Sequence, residues 1–311
     1  MKIFLFCYLY LVNTHLPLLN KKKKLNNQIK CRVCDSNTYY YDHSIIYNQN
    51  IKVLKCSKCN LVQLSTTNHI SDDFYESSEY FGDNLEEILT KEKEWNLKRV
   101  KLIKENLFLH QEKVGLDFGC GPGGFLDVGS NIFKKLYGYD LSERIREWNK
   151  SKKNLILDNL DNLENLGNID TVMLFHVLEH IKKPLEFIED IKGKFTNLET
   201  LIIEVPNNDE MLISEFNNEA YKNNHYSTEH LNYFNYQTIV ELIKSLSFRI
   251  LFKTQYQRYQ LGNTLGWLNY GKGGYQNYFT EFNNYSFHEF YEKALLKREV
   301  ADTIFVIASI K

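Results

Sequence analysis

Asp117 stands at the end of the apolar run Val114-Gly115-Leu116, two residues ahead of Gly119-Cys120-Gly121-Pro122-Gly123-Gly124. Glycines in such a loop let a ligand touch the backbone. The helix they open turns its free N–H groups on whatever is bound. The spacing also satisfies G-x-G-x-x-G, with an acid, Asp140, about twenty residues on, as in a dinucleotide site. Asp117 decides between the two. A pyrophosphate gains nothing from a carboxylate beside it, whereas a ligand carrying an ammonium or sulfonium group does. S-adenosylmethionine (SAM) is such a ligand.

A second set of residues is suited to metal. Four of the six cysteines form two C-x2-C pairs, Cys31 with Cys34 and Cys56 with Cys59. Two such knuckles converge four thiolates on a tetrahedral Zn²⁺. Residues 38–41, 51–54 and 61–64 read as short strands around them, which makes a zinc ribbon. A unit of about forty residues buries too little core to fold alone, so the metal would supply its folding energy. Four thiolates leave no open position, and the site is expected to be structural.

Histidines make the third set. His176-Val177-Leu178-Glu179-His180 reads as H-x-x-E-H, the inverted zincin order, in which two histidines hold zinc and the glutamate acts as base. Against that chemistry, the phrase directly follows an apolar run, and Pro184 leaves little helix to present it. The densest polar and aromatic cluster is His225-Tyr226-Ser227-Thr228-Glu229-His230-Leu231-Asn232-Tyr233-Phe234. Methyl transfer from SAM is an in-line displacement that needs a positioned acceptor and removal of its proton. A histidine oriented by a carboxylate suits that task near pH 7, which makes His230 with Glu229 the expected base. His176 and His180 are the reserve candidates.

These side chains need a scaffold that brings them to one edge. The chain predicts a helix over 85–109, then strand 114–118, helix 124–135, strand 136–139, helix 142–152, strands 154–157 and 169–175, helix 184–195, strand 200–205, helix 236–246 and strands 248–256 and 303–309. Such alternation means a parallel sheet with helices on both faces. Ligands bind beyond the carboxyl ends of its strands. Asp117, Asp140, Asn159 with Leu160, and Phe175 with His176 fall at four such ends. Asp140 is placed to accept both hydroxyls of a ribose. Segments 206–231 and 257–298 are extra to this core, rich in Tyr and Asn, and are expected to supply the acceptor site.

From about residue 75 to its end, on the acid–glycine phrase and the Phe175-to-His180 phrase, the chain resembles the class I SAM-dependent methyltransferases. The resemblance implies an α/β fold with a Rossmann-like seven-stranded sheet whose last strand inserts antiparallel. It implies SAM contacts from Asp117, Gly119, Gly121 and Gly123, from Asp140 and Leu141, from Asn159 and Leu160 at the adenine, and from Phe175 and His176. Methyltransferases of bacterial sugar pathways carry a similar cysteine-rich module before the SAM domain and a substrate-binding tail after it. They have a Glu-His pair before Leu-x-Tyr-Phe, which Glu229-His230 matches, and often a Tyr two residues earlier, where this chain has Ser227. A sugar or nucleotide-linked sugar is therefore the expected acceptor, methylated on carbon or oxygen. A quinone-type phenol is the alternative, and a non-enzymatic zinc-ribbon adaptor is the reading from another class. The Asn/Asp-Pro-Pro-aromatic phrase of enzymes that methylate amino groups of bases is missing at Phe175-His176-Val177-Leu178.

Bulk properties agree. A net charge of −1 offers no electrostatic case for nucleic acid. Lys21 to Lys24 form a basic run of the kind found in solvated tails. The opening apolar segment, Met1 to Val12, is too short to span a bilayer and lacks a clear cleavage site. The expected organisation is a disordered leader over 1–27, a ribbon over 28–70, a linker and helix over 71–112, and the SAM domain over 113–311. A cytoplasmic enzyme with no membrane or nucleic-acid partner is expected, holding SAM and one structural zinc.

Overall fold

A computed structural model of the chain describes residues 29–310, apart from 46–47, 49, 72–73, 77–81, 83, 108–111, 161–168, 276–277 and 283–284. The expected leader and its basic run lie outside the described residues. In chain order the elements are β1 (Thr38–Ser44), β2 (Lys52–Cys56), β3 (Val62–Leu64), α1 (Leu85–Asn106), β4 (Val114–Phe118), α2 (Gly124–Gly129), β5 (Lys135–Tyr139), α3 (Glu143–Ser151), β6 (Leu155–Ile156) and β7 (Thr171–Phe175). There follow α4 (Pro184–Lys194), β8 (Thr200–Pro206), α5 (Met211–Ser214), α6 (Glu219–His225), β9 (Asn232–Tyr233), α7 (Tyr236–Ser245), β10 (Phe248–Tyr256), α8 (Leu261–Tyr270), α9 (Tyr285–Arg298) and β11 (Thr303–Ile310). Among the described residues no helix is long and apolar enough to cross a membrane.

Seven strands form one sheet in the order β10-β11-β8-β7-β4-β5-β6. The strands from β8 to β6 pair in parallel, while β11 runs antiparallel to both β8 and β10. This is the Rossmann-like methyltransferase sheet that the resemblance implies. Alternate residues of a strand face opposite sides, and both sides are apolar here. Val172, Leu174, Leu201, Ile203, Ile304 and Val306 face one core with α4 and α7. Met173, Phe175, Ile202, Phe305 and Ile307 face the other with α1 and α2. The helix expected over 124–135 ends at Gly129 and passes through a 3-10 turn, Ser130–Ile132. Gly129, Ser130 and Asn131 are weak helix formers in succession.

The ribbon is not a free-standing unit. β1, β2 and β3 form a second sheet whose fourth strand, β9, comes from beyond residue 230. Val62 pairs with Tyr233 and Gln63 with Asn232. The guanidinium of Arg32 donates to the carbonyls of Leu64 (2.6 Å) and Leu231 (2.7 Å). Thr238 of α7 donates to the Cys59 carbonyl at 2.8 Å. Cys31, Val33, Cys56, Cys59 and Leu61 belong to the same buried core as Leu178, Phe234, Ile239 and Leu242. The ribbon's core is thus completed from outside it, on one side by the main sheet domain and on the other by Tyr226, Leu231 and Tyr233, which cluster with Ile45, Ile51, Val53, Val62 and Leu64.

Candidate active site

The loop between β4 and α2 is held by its neighbours. Gly119 has φ +75 and Gly123 φ +89, the left-handed region that favours glycine. A Cβ on Gly123 would lie 1.9 Å from Asn149 Oδ1, so no side chain fits there. Asn149 Nδ2 donates to the Gly121 carbonyl at 2.8 Å, and Trp148 Nε1 to that of Pro122 at 3.2 Å. Asp140 closes the turn from the next strand. Its two carboxylate oxygens accept the N–H groups of Gly121 and Ser142, both at 3.0 Å. A carboxylate has about four acceptor positions, so two backbone bonds leave room for ligand hydroxyls.

A cleft of about 660 Å³ opens over this loop. Asp117, Gly119, Cys120, Gly121 and Phe175 line it from the sheet side. Glu92, Trp95, Asn96 and Arg99 line it from α1, and His176, Glu229 and Arg258 close the far end. Asp117 is buried, and its Oδ1 has no hydrogen-bond partner among the described residues. Burial pushes its carboxyl up to about 7, with the Arg99 charge opposing. An unpaired buried carboxylate oxygen beside a glycine loop fits a cationic group. A pocket of about 120 Å³ continues the cleft past Gly119 to Asp140 and Leu141, under Tyr75 and Val177.

Sequence reasoning missed the ion network behind the cleft. Glu204 sits fully buried within β8, facing the α1 side of the sheet. Arg99 meets it with two nitrogens, Nε at 3.0 and 3.1 Å from the carboxylate oxygens and Nη2 at 2.5 Å. The same guanidinium lies 4.6 Å over the Phe175 ring. The readable signal was an acid inside the otherwise apolar run Thr200-Leu201-Ile202-Ile203-Glu204-Val205, since a charge buried there must be paired. Arg258, just past β10, had no such signal. It stacks over Trp95 and Tyr259 at 5.3 and 5.5 Å.

His176 has φ +56 at the end of β7, a strained conformation that turns its ring back into this network. Its Nδ1 is 3.0 Å from Glu179 Oε1. Its Nε2 is 3.0 Å from Glu204 Oε1 and 2.9 Å from Arg258 Nη1. Burial, then the Arg258 charge, oppose the imidazolium, yet the two carboxylates together outweigh them and raise its pKa. The H-x-x-E-H phrase forms a single 3-10 turn, Leu178–His180, and not the helix a zincin needs.

His230 and Glu229 do not form the expected pair. His230 Nδ1 is buried with no partner among the described residues. The backbone carbonyl of Glu229 meets His180 Nδ1 and the Tyr75 hydroxyl, at 3.1 and 3.2 Å, while Glu229 itself lines the cleft. Burial first, then the nearby His180, brings the His230 pKa down to about 3, so the ring is neutral but a weak base. The reason is topological: residues 227–231 turn sharply into β9, and neighbours in sequence face different cavities. His230 lines a second cavity of about 340 Å³ built from both insertions, with Glu210, Tyr221, His225, Asn263, Trp267 and Asp302. Arg258 walls both this cavity and the cleft. Asn159 is exposed and Leu160 packs half-buried on the main core, and neither is among the residues that line these cavities.

The four cysteine sulfurs lie within 4.8 Å of one another, with Cys31–Cys59 and Cys34–Cys56 at 3.5 Å. Tetrahedral zinc at about 2.3 Å from each sulfur would set them roughly 3.8 Å apart, so the donor set fits the metal.

A family model described as a methyltransferase domain matches residues 91–251, from α1 through β10. The chain belongs to that family. This methyltransferase keeps its ribbon, the α8–α9 segment and β11 outside the matched span. No curated protein matches the chain. Solved structures similar to it include a SAM-dependent methyltransferase from Archaeoglobus fulgidus, 16% identical, with TM-score 0.44 over 71% of this chain and 98% of that one. The magnesium protoporphyrin IX methyltransferase of Synechocystis PCC 6803 is 14% identical, with TM-score 0.47 over 77% and 97%. Geranyl diphosphate C-methyltransferase from Streptomyces coelicolor A3(2) is 11% identical, with TM-score 0.44 over 69% and 76%. SAM is the methyltransferase's cofactor, and it supplies a methyl carbon activated on sulfonium.

Proposed function

We propose that this methyltransferase acts on a sugar or nucleotide-linked sugar held in the 340 Å³ cavity, beside SAM in the cleft. The observation that carries the reading is the lining of that cavity. Glu210, His225 and Arg258 all line it, and each has a buried polar atom with no hydrogen-bond partner among the described residues. Three such atoms around one cavity are costly unless a polyhydroxylated ligand satisfies them. Tyr221, Tyr259 and Trp267 add flat apolar faces between the polar groups, which suits the mixed surface of a sugar ring.

Asp117 would pair the ammonium group of SAM, with Gly119, Gly121 and Gly123 admitting its chain to the backbone. Asp140 would take the ribose hydroxyls, with Leu141 against the adenine side. Phe175 and His176 close the cleft where the methyl group must lie. His230 holds the acceptor's side of the junction. In the ribbon, Cys31, Cys34, Cys56 and Cys59 would bind one structural Zn²⁺. The enzyme would work in the cytoplasm, where SAM is made.

The test is isothermal titration with SAM, followed by an acceptor screen that measures S-adenosylhomocysteine release. SAM should bind with a Kd near 1 μM, about −8 kcal/mol. Nucleotide sugars should turn over and quinone-type phenols should not. Turnover of phenols alone would overturn the acceptor reading, and loss of turnover without loss of SAM binding in Arg258→Ala would support it.

A further inference from the structure

The cluster left over is Glu179, His180 and His230. We propose that these three side chains hold a divalent first-row transition-metal ion, Zn²⁺ or Mn²⁺, between the cofactor pocket and the acceptor cavity. One ligand atom from each lies within 4.8 Å of the other two. The set is two imidazoles and one carboxylate, a donor combination typical of such ions, with positions left for substrate or water.

Two of the three groups are short of a partner. Glu179 is almost fully buried, its Oε1 is taken by His176 Nδ1 at 3.0 Å, and its Oε2 has no partner among the described residues. His230 Nδ1 likewise has none. A buried carboxylate oxygen and a buried imidazole nitrogen left unmatched side by side each carry a desolvation cost that a shared cation removes. The surroundings orient the ligands as metal sites require. His176 fixes the Glu179 carboxylate, and the Glu229 carbonyl and Tyr75 hydroxyl hold His180 through Nδ1. The rings of His180 and His230 meet edge to face at 4.9 Å.

The position gives the ion a use. His180 lines the pocket that ends at Asp140, and His230 lines the acceptor cavity. A hydroxyl bound to the ion from the acceptor side would lose its proton to solvent. Its oxygen would form the bond to the methyl carbon as the carbon–sulfur bond breaks, and that bond's electron pair would return to sulfur, leaving a neutral thioether. This use rests on the acceptor reading above; the binding of the ion does not.

The experiment titrates Mn²⁺ into the full chain, with its cysteine site loaded with zinc, and follows free Mn²⁺ by electron paramagnetic resonance. One Mn²⁺ per chain is expected, and pulsed spectra should show nitrogen couplings from imidazole. His180→Ala and His230→Ala should each weaken uptake by about 100-fold or more. Asp117→Asn should leave it unchanged while impairing SAM binding, which separates failure of this proposal from failure of the cofactor assignment. Absence of uptake, uptake with no imidazole nitrogen coupling, or equal uptake by folded His230→Ala would overturn the proposal. The couplings are read on the unaltered protein, so the outcome does not depend on the variants folding.

Discussion

Replacing Asp117 by Asn should strengthen the empty protein and weaken its hold on SAM. The carboxyl is pushed from an ordinary 3.8 to about 7, by burial first, with the charges of Asp140 and Glu204 adding and that of Arg99 opposing. An acid with a raised folded-state pKa binds its proton more tightly when folded. Its contribution to stability is therefore full below about pH 4 and is lost as pH rises through 7. Three units correspond to about 4 kcal/mol at 1.36 kcal/mol per unit. Asparagine has no charge to desolvate, so Asp117→Asn should exceed the parent in stability at pH 8 by up to about 4 kcal/mol, with the gap closing toward pH 4. Binding runs the other way. Loss of a charge-assisted hydrogen bond to the ammonium group costs about 1.5–3 kcal/mol, roughly 10- to 150-fold in Kd. The parent's SAM affinity should also fall about tenfold per pH unit below 7, because the carboxyl must first ionise, whereas the variant's should stay flat. Urea unfolding of the SAM-free protein and titration calorimetry, each from pH 5 to 8, measure both. A variant that is less stable at pH 8 and binds SAM as well as the parent would refute the reasoning.

Other changes probe the rest of the molecule. Cys31→Ser should release one zinc per chain and lower stability in a single calorimetric transition, because Cys31 packs in the main core; a separate low-temperature ribbon transition would contradict this. Arg99→Met leaves the buried charge of Glu204 to His176 alone and should cost up to about 3–5 kcal/mol in urea unfolding, and adding Glu204→Gln should recover much of it. His230→Ala should lower kcat/KM on an identified acceptor by roughly 5- to 150-fold, the 1–3 kcal/mol of a lost buried contact, with SAM affinity unchanged by calorimetry, because the ring lines the acceptor cavity; full turnover there combined with its loss in His180→Ala would move the essential group to the β7 end.

The main sheet was legible because its signals are local. β4, β10 and β11 fall within a residue of their expected spans, since β4 and β11 read as short apolar runs between loops and β10, at the sheet edge, as an alternating strand. Asp117, Gly119, Gly121 and Asp140 were legible as residues of the strand ends that line the cleft and its continuing pocket for the same reason: each lies within a few residues of the strand end that places it. Asn159 and Leu160 are not among the residues that line these cavities. The Glu229–His230 pairing failed because adjacency in sequence gives no direction in a tight turn.

By itself, the amino-acid sequence determined the fold class, the glycine loop with its acid, and the four cysteines able to share one metal. Each is written in contiguous residues and in the chemistry of their types. Only the tertiary structure decided that Glu204 needs Arg99, 105 positions away in sequence. It also set His176 between two carboxylates, joined the ribbon to the domain through β9, and brought Glu179 and His180 beside His230. These are contacts between elements remote in the chain. Their geometry follows from strand order and side-chain packing, which no local pattern records.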